Sequence, residues 1–242
     1  MPEAGKTRIE YHIEEYGRLE DRTRFITAPA IWPRVEICLE IIERERTSLN
    51  KGLRVLDVGC SDGTVSRLIV EKGNDVSGID VIPHLVEKAK QKGIKAILGD
   101  IEKGLPYDNE SFDVVHAAVL LEHIFDTESF LKEVARVLRR RGLFVASVPN
   151  ISTLPNRMRL LLGLYPRFVA PATSWRLGGH VRAFTLDALG KVLESTGFKL
   201  EQALGNYVSF LPASRTVRPW SRSLGRAFPT LSDVLIVSAR RE

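Results

Sequence analysis

Cysteine is scarce in this chain of 242 residues, and long apolar runs are absent. Cys38 and Cys60 are the only cysteines. Two cysteines are too few for a disulfide framework and have no metal-site spacing, so we expect a reducing cytosol and no bound metal. No run approaches the roughly 18 apolar residues of a membrane-spanning helix. The N-terminal segment also lacks the apolar core of a signal peptide, so we expect a cytoplasmic protein.

The rest of the composition is that of a globular domain with an uneven charge. Hydrophobic residues make up 44% and charged residues 27% of the sequence, and the length suits one domain. Residues 151–242 carry 13 Lys and Arg against 5 Asp and Glu, whereas residues 1–150 carry 22 against 25. An anionic substrate or surface would explain the basic part, and a solvated face would explain it equally well.

The stretch from Leu53 to Val65 organises the chain. Its apolar first half predicts a buried strand, and the small-residue turn at 59–63 leads into a helix with apolar residues at helical spacing. Such a unit lets a ligand approach the backbone beside the N–H groups of a helix. A dinucleotide fingerprint is excluded because Ser61 and Thr64 stand at its second and third glycine positions.

The spacing from Asp57 to Gly63 resembles motif I of the class I S-adenosylmethionine-dependent methyltransferases. The resemblance implies that Asp57 precedes the cofactor loop, and that Gly59, Cys60, Ser61 and Gly63 form the loop around the methionine half of S-adenosylmethionine. Family members usually have glycine where this chain has Ser61. Taken alone, the motif also fits an ordinary strand-to-helix turn of another α/β protein.

Further acids follow at successive strand ends. Asp80 ends the second predicted strand, where its carboxylate can accept both ribose hydroxyls of an adenosine. The resemblance implies that Val81 contacts the adenine face and that Asp100 and Ile101 bind the adenine ring. It also places Ala117, on the fourth strand, beside the cofactor.

The fourth strand leads into Leu120–Ile124, which we expect beside the transferred methyl. His123 is the candidate catalytic base because imidazole titrates near neutral pH. A structural role for Glu122 and His123 is the alternative. The loop at 105–113 resembles ubiquinone/menaquinone-biosynthesis-like enzymes (methyltransferase type 11). The Val148-Pro149-Asn150 sequence and the stretch 157–163 also resemble methionine-biosynthesis-associated members.

We predict one α/β domain: a Rossmann-like, seven-stranded, mostly parallel sheet with an antiparallel last strand and helices on both faces. We divide this domain into four parts: an N-terminal helical lid (1–50), a cofactor-binding core (51–150), a cap insertion (151–182) and the C-terminal part of the sheet (183–242). The predicted strands are 53–58, 75–79, 96–98, 114–119, 143–148, 198–204 and 234–239, and the clearest helices are 33–47, 64–72, 83–91, 126–139 and 185–196. Candidate lid residues are Tyr11, His12 and Tyr16, and candidate pocket residues of the cap are Trp175, Arg176, His180 and Arg182.

The function predicted from the resemblance is methyl transfer from S-adenosylmethionine to a small-molecule or anionic metabolite, including saccharide or lipid-linked precursors. RNA methylation is an alternative, but no RNA-binding module is recognisable, and His116–Val119 occupies the place of the Asn/Asp-Pro-Pro-aromatic tetrapeptide. A partner-dependent or regulatory cofactor-binding role is another. The basic, apolar stretch 158–165 is compatible with peripheral membrane contact, a lid or a dimer contact. The sequence does not predict the oligomeric state.

Overall fold

A seven-stranded sheet forms the centre of the computed structural model, which describes residues 28, 30–167, 169, 180–209 and 218–242. The strand order is β3-β2-β1-β4-β5-β7-β6, and the pairings are parallel except those of β7, which runs antiparallel to both β5 and β6. This confirms the predicted sheet. The strands are β1 (Arg54–Val58), β2 (Asp75–Asp80), β3 (Lys95–Leu98), β4 (Phe112–Ala118), β5 (Leu138–Pro149), β6 (Phe198–Gly205) and β7 (Val234–Arg241).

Helices cover both faces of the sheet. The apolar core accordingly consists of two clusters, one under α1, α2 and α3 and the other under α4 and α6. Burial on both faces explains why the central strands are almost continuously apolar. The described helices are α1 (Trp32–Leu49), α2 (Thr64–Glu71), α3 (Pro83–Gln91), α4 (Thr127–Val137), α5 (Leu154–Leu161), α6 (Leu186–Ser195) and α7 (Pro219–Ala227). No helix among the described residues has the length and apolarity needed to cross a bilayer.

Most predicted helix boundaries are confirmed, but the predicted end of α4 is wrong. The helix begins after Asp126, whose side chain caps it by accepting the Ser129 N–H. It ends at Val137, and residues 139–142 form a bulge in β5, between the Leu138–Phe112 and Leu143–Val114 pairs. We attribute the early end to a contact 26 residues away in sequence, because the Arg139 guanidinium donates to the buried Asp113 carboxylate.

Part of the basic C-terminal region is neutralised within the molecule. On α7, Arg226 pairs with Glu40 of α1 at 3.0 Å, and Arg222 pairs with Glu36 one turn earlier. These contacts account for part of the charge imbalance without an external anion. The lid candidates Tyr11, His12 and Tyr16 and the cap candidates Trp175 and Arg176 lie outside the described residues.

Candidate active site

Two loops meet at the carboxyl edge of the sheet, where the chain leaves the adjacent strands β1 and β4. The first, which we call the β1 loop, comprises residues 59–63. Its backbone is fixed to the end of β2, because Gly59 N–H and Cys60 N–H both donate to the carbonyl of Ile79, at 2.8 and 3.2 Å. Gly63 N–H donates to the Cys60 carbonyl at 3.0 Å and closes the turn. The loop is therefore preformed by main-chain hydrogen bonds.

The conformation of the β1 loop explains its small residues. Gly59, Ser61 and Gly63 all have left-handed backbones, with φ of 76°, 53° and 76°. Ser61 thus occupies a position that favours glycine, in line with the glycine usual there in the resembling family. A Cβ on Gly63 would lie 3.0 Å from Ala89 of α3, so this glycine also allows close packing of the loop on that helix.

Asp57 lies beneath the β1 loop, on its buried side. Its carboxylate accepts hydrogen bonds from Ser66 Oγ at 2.5 Å and from His116 Nδ1 at 2.8 Å. Burial opposes charge on His116, but the Asp57 charge and hydrogen bond outweigh it and raise the pKa of His116 to about 10. This buried pair joins β1, β4 and the start of α2. If Asp57 contributes to cofactor binding, as predicted, it would do so by holding the β1 loop in position.

Asp80 is the acidic side chain at the end of β2. Its two oxygens accept the Ser61 N–H at 2.8 Å and the Ile82 N–H at 3.0 Å. Beside it, the Ser61 hydroxyl oxygen is buried with no hydrogen-bond partner in the described part of the chain. A half-exposed acid and an unsatisfied hydroxyl fit a ligand rich in hydroxyl and amino groups, as S-adenosylmethionine is.

The predicted adenine residues also reach this edge. The Gly99 N–H donates to the Asp80 carbonyl at 3.0 Å, which holds the end of β3 beside the end of β2. Asp100 follows and caps the 3₁₀ turn Ile101–Lys103 by accepting the Glu102 N–H. Val81, Asp100 and Ile101 are all partly exposed here.

Two other predicted cofactor residues do not present their side chains to this edge. Ala117 is fully buried one residue before the end of β4. The Cys60 thiol is also buried, and burial together with the nearby Asp57 and Asp80 charges raises its pKa far above the usual range. Any contribution of Cys60 to cofactor binding would come from its backbone.

The second loop, which we call the β4 loop, comprises residues 119–125. It begins at Val119, whose φ of 54° is unusual for a β-branched residue. A 3₁₀ turn then carries Glu122 and His123. The carbonyl of Glu122 accepts N–H groups of Val181 and Arg182, at 2.8 and 3.1 Å. These bonds hold residues 181 and 182 against the loop, and the side chain of His180, the residue before them, also contacts it.

Glu122, His123 and His180 form what we call the acid–histidine cluster. One ligand-type atom from each residue lies within 4.8 Å of the others, and the two imidazole rings meet edge to face with centroids 4.9 Å apart. The Glu122 carboxyl is buried and has no hydrogen-bond partner in the described residues, and burial raises its pKa to about 8. The donor set can hold and transfer protons, and it also matches ligands that bind transition metals.

Sequence reasoning named Glu122 and His123 together and His180 apart from them, and it missed that all three residues meet. It also missed Ser66 and His116, which anchor Asp57, and Asp62, which accepts from Lys92 Nζ at 2.8 Å. No local pattern marks such contacts, because the partners stand 30 or more residues apart or, for Ser66, on the buried face of a helix. The sequence offered one signal of these contacts: His116 is a polar residue within the predicted strand 114–119, which is otherwise apolar.

Comparisons with known proteins agree with this geometry. A family model described as a methyltransferase domain matches residues 56–146. An uncharacterised methyltransferase of Schizosaccharomyces pombe is 29% identical over 79% of this chain and 77% of its own length. The ubiquinone biosynthesis O-methyltransferase of Azorhizobium caulinodans is 31% identical over 64% of this chain. The matched part spans 62% of that relative's length.

A solved structure shows the same fold. It is a chain from the complex between the Trm112 methyltransferase activator and a methyltransferase of Haloferax volcanii. It superposes with a TM-score of 0.66, covers 94% of this chain and 96% of its own, and is 17% identical.

The matched methyltransferase domain, the methyltransferase relatives and the sheet order support a class I S-adenosylmethionine-dependent methyltransferase. Residues 56–146 match the methyltransferase domain of that class. S-adenosylmethionine is its cofactor.

Proposed function

We propose that this enzyme methylates a small-molecule or anionic metabolite, with saccharide and lipid-linked precursors included, and that His123 is the catalytic base. The observation that carries the proposal is the acid–histidine cluster on the loop that follows β4. A ligand at the carboxyl edge of an open α/β sheet binds beside such loops. The cluster therefore places a base beside the position at which the molecule to be methylated would bind.

Bound S-adenosylmethionine supplies an electrophilic methyl group. The β1 loop and Asp80 would hold and orient it, and most of the rate enhancement would come from this positioning. His123 would remove the proton of an acceptor hydroxyl through a ring nitrogen. Because the pKa of Glu122 is about 8, its carboxyl is mostly neutral at pH 7 and does not place a negative charge beside that proton.

Two findings support a metabolite acceptor over RNA. One relative, at 31% identity, is named a ubiquinone biosynthesis O-methyltransferase, so a related chain acts in the synthesis of a small molecule. In addition, two arginines of α7 that could have formed a basic surface are paired with Glu36 and Glu40. An RNA-binding face needs basic side chains that remain available to phosphates.

The test is incubation of the purified chain with methyl-labelled S-adenosylmethionine and fractionated cell extract. We expect label in the small-molecule or lipid pool. His123→Ala should abolish most of that incorporation, whereas the matched change His84→Ala, at an exposed histidine of α3, should leave it unchanged. Label in the RNA pool would contradict the proposal. Label in no pool, with the cofactor still bound, would favour a partner-dependent role.

A further inference from the structure

An exposed apolar surface lies on the segment that follows β5. Eleven large apolar side chains of the described residues are exposed, and six of them fall within residues 158–165. Leu161 is 80% exposed and Leu162 is 71% exposed. Exposed apolar side chains are ordinary when scattered, but a contiguous group of them marks an interaction site. We call this group the leucine face: Met158, Leu160, Leu161, Leu162, Leu164 and Tyr165.

Hydrogen bonds hold the leucine face in place. Helix α5 begins after Thr153, whose hydroxyl accepts the N–H of Asn156 at 3.2 Å. The buried Asn156 side chain joins the two ends of the segment, because its amide donates to the carbonyls of Ile151 and Arg167, at 2.8 and 3.0 Å. Its oxygen accepts the N–H of Arg167 at 2.7 Å. The segment is thus a closed, anchored loop that presents its leucines outward.

The charge around the leucine face is positive. No Asp or Glu occurs between residues 151 and 186, whereas five arginines do. Arg157 donates to the carbonyls of Ser152 and Thr230, and Arg159 donates to the carbonyl of Tyr165. In the described part of the chain, no carboxylate pairs with Arg157 or Arg159. Their charge differs in this respect from that of Arg226, which is paired with Glu40.

We propose that the leucine face docks on the surface of an anionic lipid bilayer. An interfacial site buries apolar side chains among the acyl chains, while neighbouring arginines meet acidic headgroups. The face supplies both features within one anchored loop. A second copy of the chain is a poorer occupant, since a two-fold contact would bring the same unpaired arginines close together.

The place of the leucine face in the fold gives the docking a consequence. Helix α5 starts five residues after β5 ends at Pro149, at the sheet edge that also carries the β1 and β4 loops. A bilayer on the leucine face would therefore lie on the side of the molecule from which an acceptor enters. Docking itself does not depend on the proposed acceptor, and it can be measured without methyl transfer.

The experiment is sedimentation of the full chain with vesicles of phosphatidylcholine, with and without phosphatidylglycerol. We expect binding to the anionic vesicles at least tenfold stronger than to neutral ones, and weaker binding at high salt. The combined change Leu160→Gln, Leu161→Gln and Leu162→Gln should lower binding at least tenfold. The matched control Leu98→Gln, at a leucine 57% exposed on β3, should bind as the unaltered chain does.

Three outcomes would overturn the proposal. The unaltered chain would not bind anionic vesicles, or the triple variant would bind them equally well. Alternatively, light scattering would show a dimer that the triple variant loses, which would assign the face to a contact between copies. Affinity for S-adenosylhomocysteine, measured on each variant, reports a folded core and separates failure of docking from failure of the proposed enzymatic function.

Discussion

The β1 loop and the β4 loop leave neighbouring strands of one sheet, yet they satisfy their polar groups in opposite ways. In the β1 loop, Gly59, Cys60 and Ser61 all donate their N–H groups to the end of β2. In the β4 loop, the Glu122 carboxyl is buried with no hydrogen-bond partner in the described residues. The backbone of the β1 loop is fixed before any ligand binds and only its Ser61 hydroxyl lacks a partner, whereas the β4 loop buries a whole carboxyl group that no described residue satisfies.

This difference separates binding from chemistry. A preformed loop loses little conformational entropy when it binds a ligand, so it suits a cofactor that every cycle uses. Buried polar groups without partners carry a free-energy cost of roughly 1–3 kcal/mol each. Such groups persist where function needs them, and they cluster at active sites. The comparison predicts that changes in the two loops affect different measurements.

The largest effect is expected in the β4 loop. His123→Ala should lower kcat by about 100-fold or more, which is the usual contribution of a general base. Affinity for S-adenosylhomocysteine should change little, since that ligand lacks the acceptor. Single-turnover kinetics and calorimetry measure the two quantities. Equal kcat for His123→Ala and the unaltered enzyme would show that the histidine is structural.

The buried pair under the β1 loop should affect stability. The pKa of His116 is raised from 6.5 to about 10. Proton binding to His116 therefore stabilises the folded state, and this contribution is complete at pH values below the pKa that His116 has in the unfolded chain. The contribution is lost as pH rises from about 6.5 through 10. His116→Gln should be less stable by a few kcal/mol at pH 6, with a reduced slope above pH 6.5, in urea unfolding. An unchanged slope would mean that His116 is neutral in the folded protein.

Glu122 should show a different pH window. Its pKa is raised from 4.5 to about 8 by burial, so the folded state binds its proton more tightly than the unfolded state. The resulting stability is complete below pH 4.5 and lost as pH rises through 8. Glu122→Gln should therefore unfold at higher urea than the unaltered chain at pH 9, with a smaller difference at pH 5. A difference independent of pH would contradict the raised pKa.

The smallest effect is expected at Ser61. Its left-handed φ of 53° favours glycine, but glycine also gains entropy in the unfolded chain. Ser61→Gly should therefore change the free energy of unfolding by less than about 1 kcal/mol. Affinity for S-adenosylhomocysteine should fall modestly if the buried hydroxyl binds the cofactor. A loss of all binding would show that the hydroxyl, and not the backbone, dominates at this position.

The fold was predictable because its signals are local. Glycine turns, strand-end acids and the cap residue Thr185 follow one another at short spacing, and each stands beside the element that it defines. The early end of α4 was not predictable, because it depends on the contact between Arg139 and Asp113 across the sheet edge.

The site was predictable in outline for the same reason. Asp80 could be located because strand ends share one edge. The burial of the Asp57 side chain could not be predicted, since it depends on a hydrogen bond to His116, which stands 59 residues later in the sequence. The acid–histidine cluster could not be predicted either, because it includes His180, which stands far from the β4 loop in the sequence. The assignment of each residue to the cofactor stays a prediction.

The central claim is that the β1 loop and Asp80 hold the cofactor. It is tested most directly by calorimetric titration of S-adenosylhomocysteine into the unaltered chain, Asp80→Ala and the matched control Asp75→Ala. Asp75 lies at the opposite end of β2, where it pairs with Lys95 at the surface. The account predicts that Asp80→Ala loses at least about tenfold in affinity, which corresponds to roughly 1.4 kcal/mol, while Asp75→Ala binds normally. Unchanged affinity of a folded Asp80→Ala variant would contradict it.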